Sequence, residues 1–135
     1  MAKITFSLEE LLEILISNKL LPSEIIRSKV EGERIHFIIR TNLFILPYIP
    51  ASLRFFSFND NNAIFELTLV SKHLYNVMKR LESSFQRKMP AYMTFEYPKI
   101  FVDVENFLKE KNIRGVRVKD IFFKQGEFTI DTGKI

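Results

Sequence analysis

Residues 53–70 read Leu53-Arg54-Phe55-Phe56-Ser57-Phe58-Asn59-Asp60-Asn61-Asn62-Ala63-Ile64-Phe65-Glu66-Leu67-Thr68-Leu69-Val70, and the organisation of the chain follows from them. The central Asn/Asp run is a strong turn signal, because these side chains tolerate positive φ and hydrogen-bond to their own backbone. Two β-rich runs flank it, so the stretch is a β-hairpin. Large apolar groups fall on both of its faces. Leu53 and Phe55 point one way and Phe56 and Phe58 the other; beyond the turn, Phe65, Leu67 and Leu69 oppose Ile64 and Val70. One face meets a core, and the other needs cover as well.

Upstream lies a second apolar stretch, Leu43-Phe44-Ile45-Leu46-Pro47-Tyr48-Ile49-Pro50, which has neither helical nor strand period. Its prolines argue against regular pairing at Pro47 and Pro50. It needs burial in a core, on a partner or against a lipid-like ligand. Before it, Ile35, Phe37 and Ile39 alternate with Arg34, His36 and Arg40, and Ile26, Ser28 and Val30 alternate with Arg27, Lys29 and Glu31. This is an antiparallel hairpin turning at Gly32, wet on one face. His36 falls on the wet face and reads as a solvated side chain. The chain opens with a strand from Lys3 and a helix over residues 7–21, with Ser7 and Glu10 spaced as a capping box. Its apolar set (Leu8, Leu11, Leu12, Ile14, Leu15, Ile16, Leu20, Leu21) is too broad for one stripe and predicts burial on most sides.

Downstream, Ser71 begins a helix over residues 71–88 with Leu74, Met78, Leu81 and Phe85 as its buried stripe. Lys72, Lys79, Arg80, Arg87 and Lys88 make this helix basic, with Glu82 as its only acid. Such a face is a solvated surface or a docking site for anionic headgroups or phosphates. Residues 91–102 read as one extended segment, an edge or bulged strand because of Pro98. A short helix capped by Asp103 and a last hairpin turning at Gly126 complete the chain. The apolar phase slips between Val118 and Ile121, which predicts a β-bulge near Lys119-Asp120.

These elements predict an α+β fold: a strongly curved antiparallel sheet of about seven strands wraps a buried N-terminal helix, with two further helices. At 135 residues the chain is expected to form a single domain. Residues 3–41 and 99–132 each read as strand, capped helix and glycine-turned hairpin. Either an internal pseudo-symmetric repeat or a shared local grammar accounts for that.

Fourteen Phe and no Cys or Trp mark the composition; the missing Cys excludes disulfides and thiolate chemistry. The net charge of +4 permits an anionic partner without requiring one. Neither a signal-like N-terminus nor a membrane-length apolar run is present. As it stands, the chain is expected to be cytoplasmic; it would be exported or membrane-associated if a leader has been removed.

Catalytic signatures are missing. There is no glycine-rich phosphate loop, no His pair at helical spacing and no nucleophile elbow, and the chain holds only two histidines, His36 and His73. The expectation is a binding protein without cofactor or metal. Phe alternates away from Arg and Lys along the strands, which disfavours nucleic acid, leaving the basic helix as its one support. Two classes of partner fit the apolar surplus: a lipid-like ligand in a Phe/Leu-lined groove, or a protein contact, including a homodimer, through the same surface.

The closing pattern Gly115-Val116-Arg117-Val118-Lys119-Asp120-Ile121, with Gly126-Glu127-Phe128-Thr129-Ile130 after it, resembles the last hairpin of small bacterial proteins related to the tubular lipid-binding superfamily. Ser7-Leu8-Glu9-Glu10-Leu11-Leu12 resembles their opening helix. The resemblance implies a curved sheet around a long helix and an apolar groove for lipid tails, with no catalytic residues. It favours the lipid-like ligand, held by Leu43, Phe44, Ile45, Tyr48, Phe56, Phe58, Phe65, Leu67 and Leu69. Lys72, Lys79, Arg80, Arg87 and Lys88 would then face an anionic membrane surface.

Overall fold

The structure, a computed structural model, describes residues 2–19, 21, 23–41, 44, 46–69 and 74–134, without the side chains of Leu81, Ser84, Phe85 and Lys88. In chain order the elements are β1 (Lys3–Ser7), α1 (Leu8–Ser17), β2 (Ile25–Glu31), β3 (Arg34–Arg40), β4 (Tyr48–Asn59), β5 (Asn62–Leu69), α2 (Tyr75–Lys88), β6 (Met93–Glu96), β7 (Lys99–Asp103), α3 (Val104–Glu110), β8 (Val116–Lys124) and β9 (Glu127–Lys134). The α+β class holds, with all strand pairs antiparallel. They form a three-stranded sheet, β1-β9-β8, and a six-stranded sheet, β2-β3-β4-β5-β7-β6.

Nine strands are described where about seven were expected. The opening strand, expected from Lys3, pairs along its whole length with β9. The segment read as one extended strand is instead a hairpin, β6–β7, turning at Tyr97 and Pro98. Proline disrupts a ladder but suits a turn, and that preference won. Pro50 goes the other way: it stands in β4 opposite Ile38, one residue before the first described pair with β5, Ala51↔Leu69.

Local chemistry sets the element ends. Ser7 Oγ accepts from the Glu10 N–H at 3.1 Å while the Glu10 carboxylate accepts from the Ser7 N–H at 3.0 Å, closing the capping box. Asp103 accepts from the Asn106 N–H at 3.1 Å and opens α3. Asp60 (φ 49°) and Asn61 (φ 68°) form the two-residue turn of β4–β5, both in the left-handed region that hairpin turns of this twist demand.

Register shifts re-phase three strand pairs; the first, between β2 and β3, falls between Ile26 and Lys29. In β8 the register steps from Val118↔Thr132 to Asp120↔Asp131, leaving Lys119 extra, where the sequence pattern places it. In β4 the step from Phe55↔Phe65 to Ser57↔Ile64 leaves Phe56 extra. Phe58 therefore pairs with buried Ala63, on the same side as Phe55, Phe65 and Leu67. The hairpin is thus apolar mainly on one face.

That inner face carries Phe37, Ile39, Ile49, Leu67 and Phe95 into the core, against Leu8 and Leu12 of α1, Met78 of α2 and Phe128 of β9. An aromatic cluster joins the sheets. Phe55 lies 5.7 Å from Phe65, 5.4 Å from Phe128 and 6.3 Å from Phe123, and Phe6 stacks on Phe128 at 5.4 Å. Much of the Phe surplus is consumed here. The first helix is shorter than expected and is not enclosed: Leu8 and Leu12 are buried, but Ile14 and Ile16 are 47% and 54% exposed.

Helix α2 covers the free edge of the six-stranded sheet with one side chain. Gln86 Nε2–H donates to the Met93 carbonyl at 2.9 Å, and Gln86 Oε1 accepts from the Phe95 N–H at 2.6 Å. A primary amide thereby takes the place of the next strand on β6, satisfying an edge that would otherwise invite pairing with another chain. The two repeated stretches share their order of elements, yet their sheet partners differ: β1 lies beside β9, whereas β7 lies between β5 and β6.

Candidate functional site: an apolar loop tip and the open sheet face

In the connection from β3 to β4 the described residues are Thr41, Phe44, Leu46 and Pro47, and hydrogen bonds tie its two ends together. The Thr41 N–H donates to the Pro47 carbonyl at 2.8 Å, and the Thr41 hydroxyl donates to the Leu46 carbonyl at 2.6 Å. Leu46 packs against the core. Phe44, at the tip, is 99% exposed, and Tyr48, opposite Arg40 where β4 begins, is 55% exposed. A closed base with a solvated Phe beyond it is an apolar probe held out from the sheet.

The residues expected to line one groove fall in separate places. Leu67 is in the core, with Phe65 and Leu69 packed beside it. Phe58 faces inward through the bulge, and Phe56, 44% exposed, faces outward. There it lies under two cations, with Lys99 Nζ 4.3 Å and the Arg54 guanidinium 5.4 Å from its ring centre. Phe44 and Tyr48 belong to the loop end, while Leu43 and Ile45 lie outside the described residues. No groove gathers this set among the described residues.

The basic helix is likewise reduced. Lys79 pairs with Glu82 at 3.3 Å and sits 6.0 Å over the Tyr75 ring, while Arg80 and Arg87 are exposed. Lys72 and the expected cap Ser71 lie outside the described residues, as does the Lys88 side chain.

The outer face of the six-stranded sheet carries a polar row that crosses four strands. Register places Lys29 beside His36, His36 beside Ser52, and Ser52 beside Thr68. The row runs through a shallow open depression of about 470 Å³ whose lining also includes Arg27, Ile38 and Pro50. Arg34 borders it through two of the lining residues: its Nη1 donates to Ser52 Oγ and to Thr68 Oγ1, both at 3.3 Å. Ser52 is 93% buried and Arg34 half-buried. Sequence reasoning left Arg34, Ser52 and Thr68 unremarked. Each strand alternates, which marks a polar face, but only the register brings together residues 18 and 34 positions apart.

Two tyrosines are perturbed. Burial pushes the Tyr92 hydroxyl above the usual tyrosine range, with the Glu110 carboxylate adding to it; burial and then Tyr75 do the same to Tyr97. Among the described residues no three His, Asp or Glu side chains converge as a metal site, and no helix is long and apolar enough to cross a membrane. Comparison with protein-family models, with curated proteins and with solved structures gives no match in any of the three.

Proposed function

We propose that this protein is a non-enzymatic binder of lipid-like, amphipathic surfaces, which it meets with the tip of the loop over residues 41–47 rather than with an enclosed groove. The observation that carries this reading is Phe44, 99% exposed beyond a base that Thr41 holds shut. Burying a Phe side chain is worth about 1.5–3 kcal/mol, and its neighbours in sequence, Leu43 and Ile45, are apolar as well. Tyr48 suits the depth of headgroups, where aromatic rings with a polar end accumulate. Arg40 beside it, with Arg27 and Lys29 further along the face, would add up to about 1 kcal/mol each on an anionic bilayer, less in salt. The resemblance to tubular lipid-binding relatives points the same way.

Co-sedimentation with phosphatidylcholine vesicles containing phosphatidylserine tests it. Phe44→Asp should weaken partitioning roughly ten- to hundredfold, the equivalent of losing one buried Phe. Binding unchanged by Phe44→Asp, or no binding to such vesicles at low salt, would refute the reading. Self-association is the competing one, favoured by Ile14 and Ile16, which lie exposed on α1. A concentration-stable dimer that Ile14→Glu converts to monomer, with no vesicle binding, would establish it instead.

A further inference from the structure

We propose that the depression on the outer sheet face is a binding site for an organic phosphate monoester, with Arg34 as its principal ligand. This rests on Arg34 and the polar row alone and is independent of the loop.

The first argument is the unmatched charge of Arg34. Its outer-face neighbour Arg54 is neutralised by Glu66, with Nη2 and Nε at 2.7 and 2.8 Å from the carboxylate. Arg34 makes no ion pair among the described residues; its printed partners are two neutral hydroxyls at 3.3 Å, the long end for a hydrogen bond. Holding a half-buried guanidinium over a sheet without a carboxylate costs solvation. Ser52 and Thr68 fix its plane while three of its N–H groups, on Nε and Nη2, remain for another acceptor. That is a positioned fork awaiting an anion.

The second argument is the donor set. Arg27, Lys29, His36, Ser52 and Thr68 line the depression, and no acidic residue does. The Lys29–Glu31 contact is 3.6 Å between side chains about 70% exposed, so it is loose and readily exchanged for a better acceptor. A monoester presents three terminal oxygens and nearly two charges, which matches a fork, an ammonium and hydroxyls better than a carboxylate does. The third argument is the apolar part of the lining. Ile38 and Pro50 offer apolar surface to the organic substituent, beyond what a bare inorganic ion would use.

The test is amide chemical-shift titration of the full chain with glycerol 3-phosphate, and in parallel with phosphatidylcholine vesicles doped with either phosphatidic acid or phosphatidylglycerol. Saturable shifts at His36, Ser52 and Thr68 are expected, weakened about tenfold or more by Arg34→Gln, the loss expected of one charged hydrogen-bonding group. Arg34→Lys should fall between, and Lys124→Gln, an exposed position on the other sheet, should change nothing. Should Arg34→Gln fail to fold, Thr68→Ala at an exposed position must weaken the same shifts. Preference for phosphatidic acid over phosphatidylglycerol identifies a lipid headgroup. Response to glycerol 3-phosphate alone identifies a soluble ligand. Non-saturating shifts spread over all basic residues, or an Arg34→Gln titration equal to that of the unsubstituted chain, would overturn the site. The vesicle response of Phe44→Asp is read separately, so either proposal can fail alone.

Discussion

Replacing Gln86 should unfasten the β6 edge, and the geometry sets how much that costs. Gln86→Leu keeps the volume and removes both amide hydrogen bonds, the one from the Phe95 N–H and the one to the Met93 carbonyl. Losing the partner of a partly buried N–H costs about 1–3 kcal/mol, and of a carbonyl somewhat less. Water reaching this half-buried position trims the sum to about 2–3 kcal/mol. At roughly 4 °C per kcal/mol for a chain of this length, Tm should fall by about 10 °C. Gln86→Glu separates the two bonds. The introduced carboxylate still accepts from the Phe95 N–H, but its second oxygen faces the Met93 carbonyl oxygen, and only the protonated acid can donate there. Its pKa in the folded state is therefore raised above that of the unfolded chain. The stabilising contact is present at low pH and is lost as pH rises through that folded value, so the deficit against the unsubstituted protein should shrink on acidification. Urea denaturation followed by circular dichroism measures both variants, and hydrogen exchange at Phe95 localises the effect. A Gln86→Leu protein within about 0.5 kcal/mol of the parent, with the Phe95 amide equally protected, would refute the account.

Two further outcomes bear on the packing. Met78 is fully buried in the core, so Met78→Ala should cost about 2–5 kcal/mol by urea denaturation, unlike a substitution at exposed Arg80. Tyr92 and Tyr97 both hold their protons more tightly folded than unfolded, so stability should be complete below about pH 10 and decline as pH rises through their raised values. A melting series across that range checks the sign, and replacing both with Phe should flatten the decline.

The features legible from sequence were those fixed within a few residues. Ser7 with Glu10, Asp103 with Asn106, the Asp60-Asn61 turn and the slip at Lys119 each state their geometry locally, and each is found. Phe56 misled because a bulge between two identical residue types leaves no slip in the pattern: Phe55 and Phe56 are interchangeable to any reading by period. The opening helix misled for a different reason. Breadth of apolar residues signals demand for burial, not its supply, and the structure supplies cover only along the Leu8–Leu12 side. The Arg34 site was illegible altogether, because its members meet across four strands whose register depends on three connections and on the shifts in β2 and β4.

The extra residue at Phe56 also separates two kinds of deletion that are usually ranked together. Removing Phe56 takes away an exposed ring and its contacts with two cations, yet Phe55↔Phe65, Ser57↔Ile64 and Phe58↔Ala63 then follow one another without a gap and the Asp60-Asn61 turn keeps its ends. Removing Glu66 from β5, a strand with no spare residue, instead shifts every pair beyond it and turns the apolar set to the other face. What Phe56 contributes to the fold is a local bend rather than register. The hairpin should therefore accept an omission at residue 56 and reject one at residue 66, a contrast that a deletion scan would read directly.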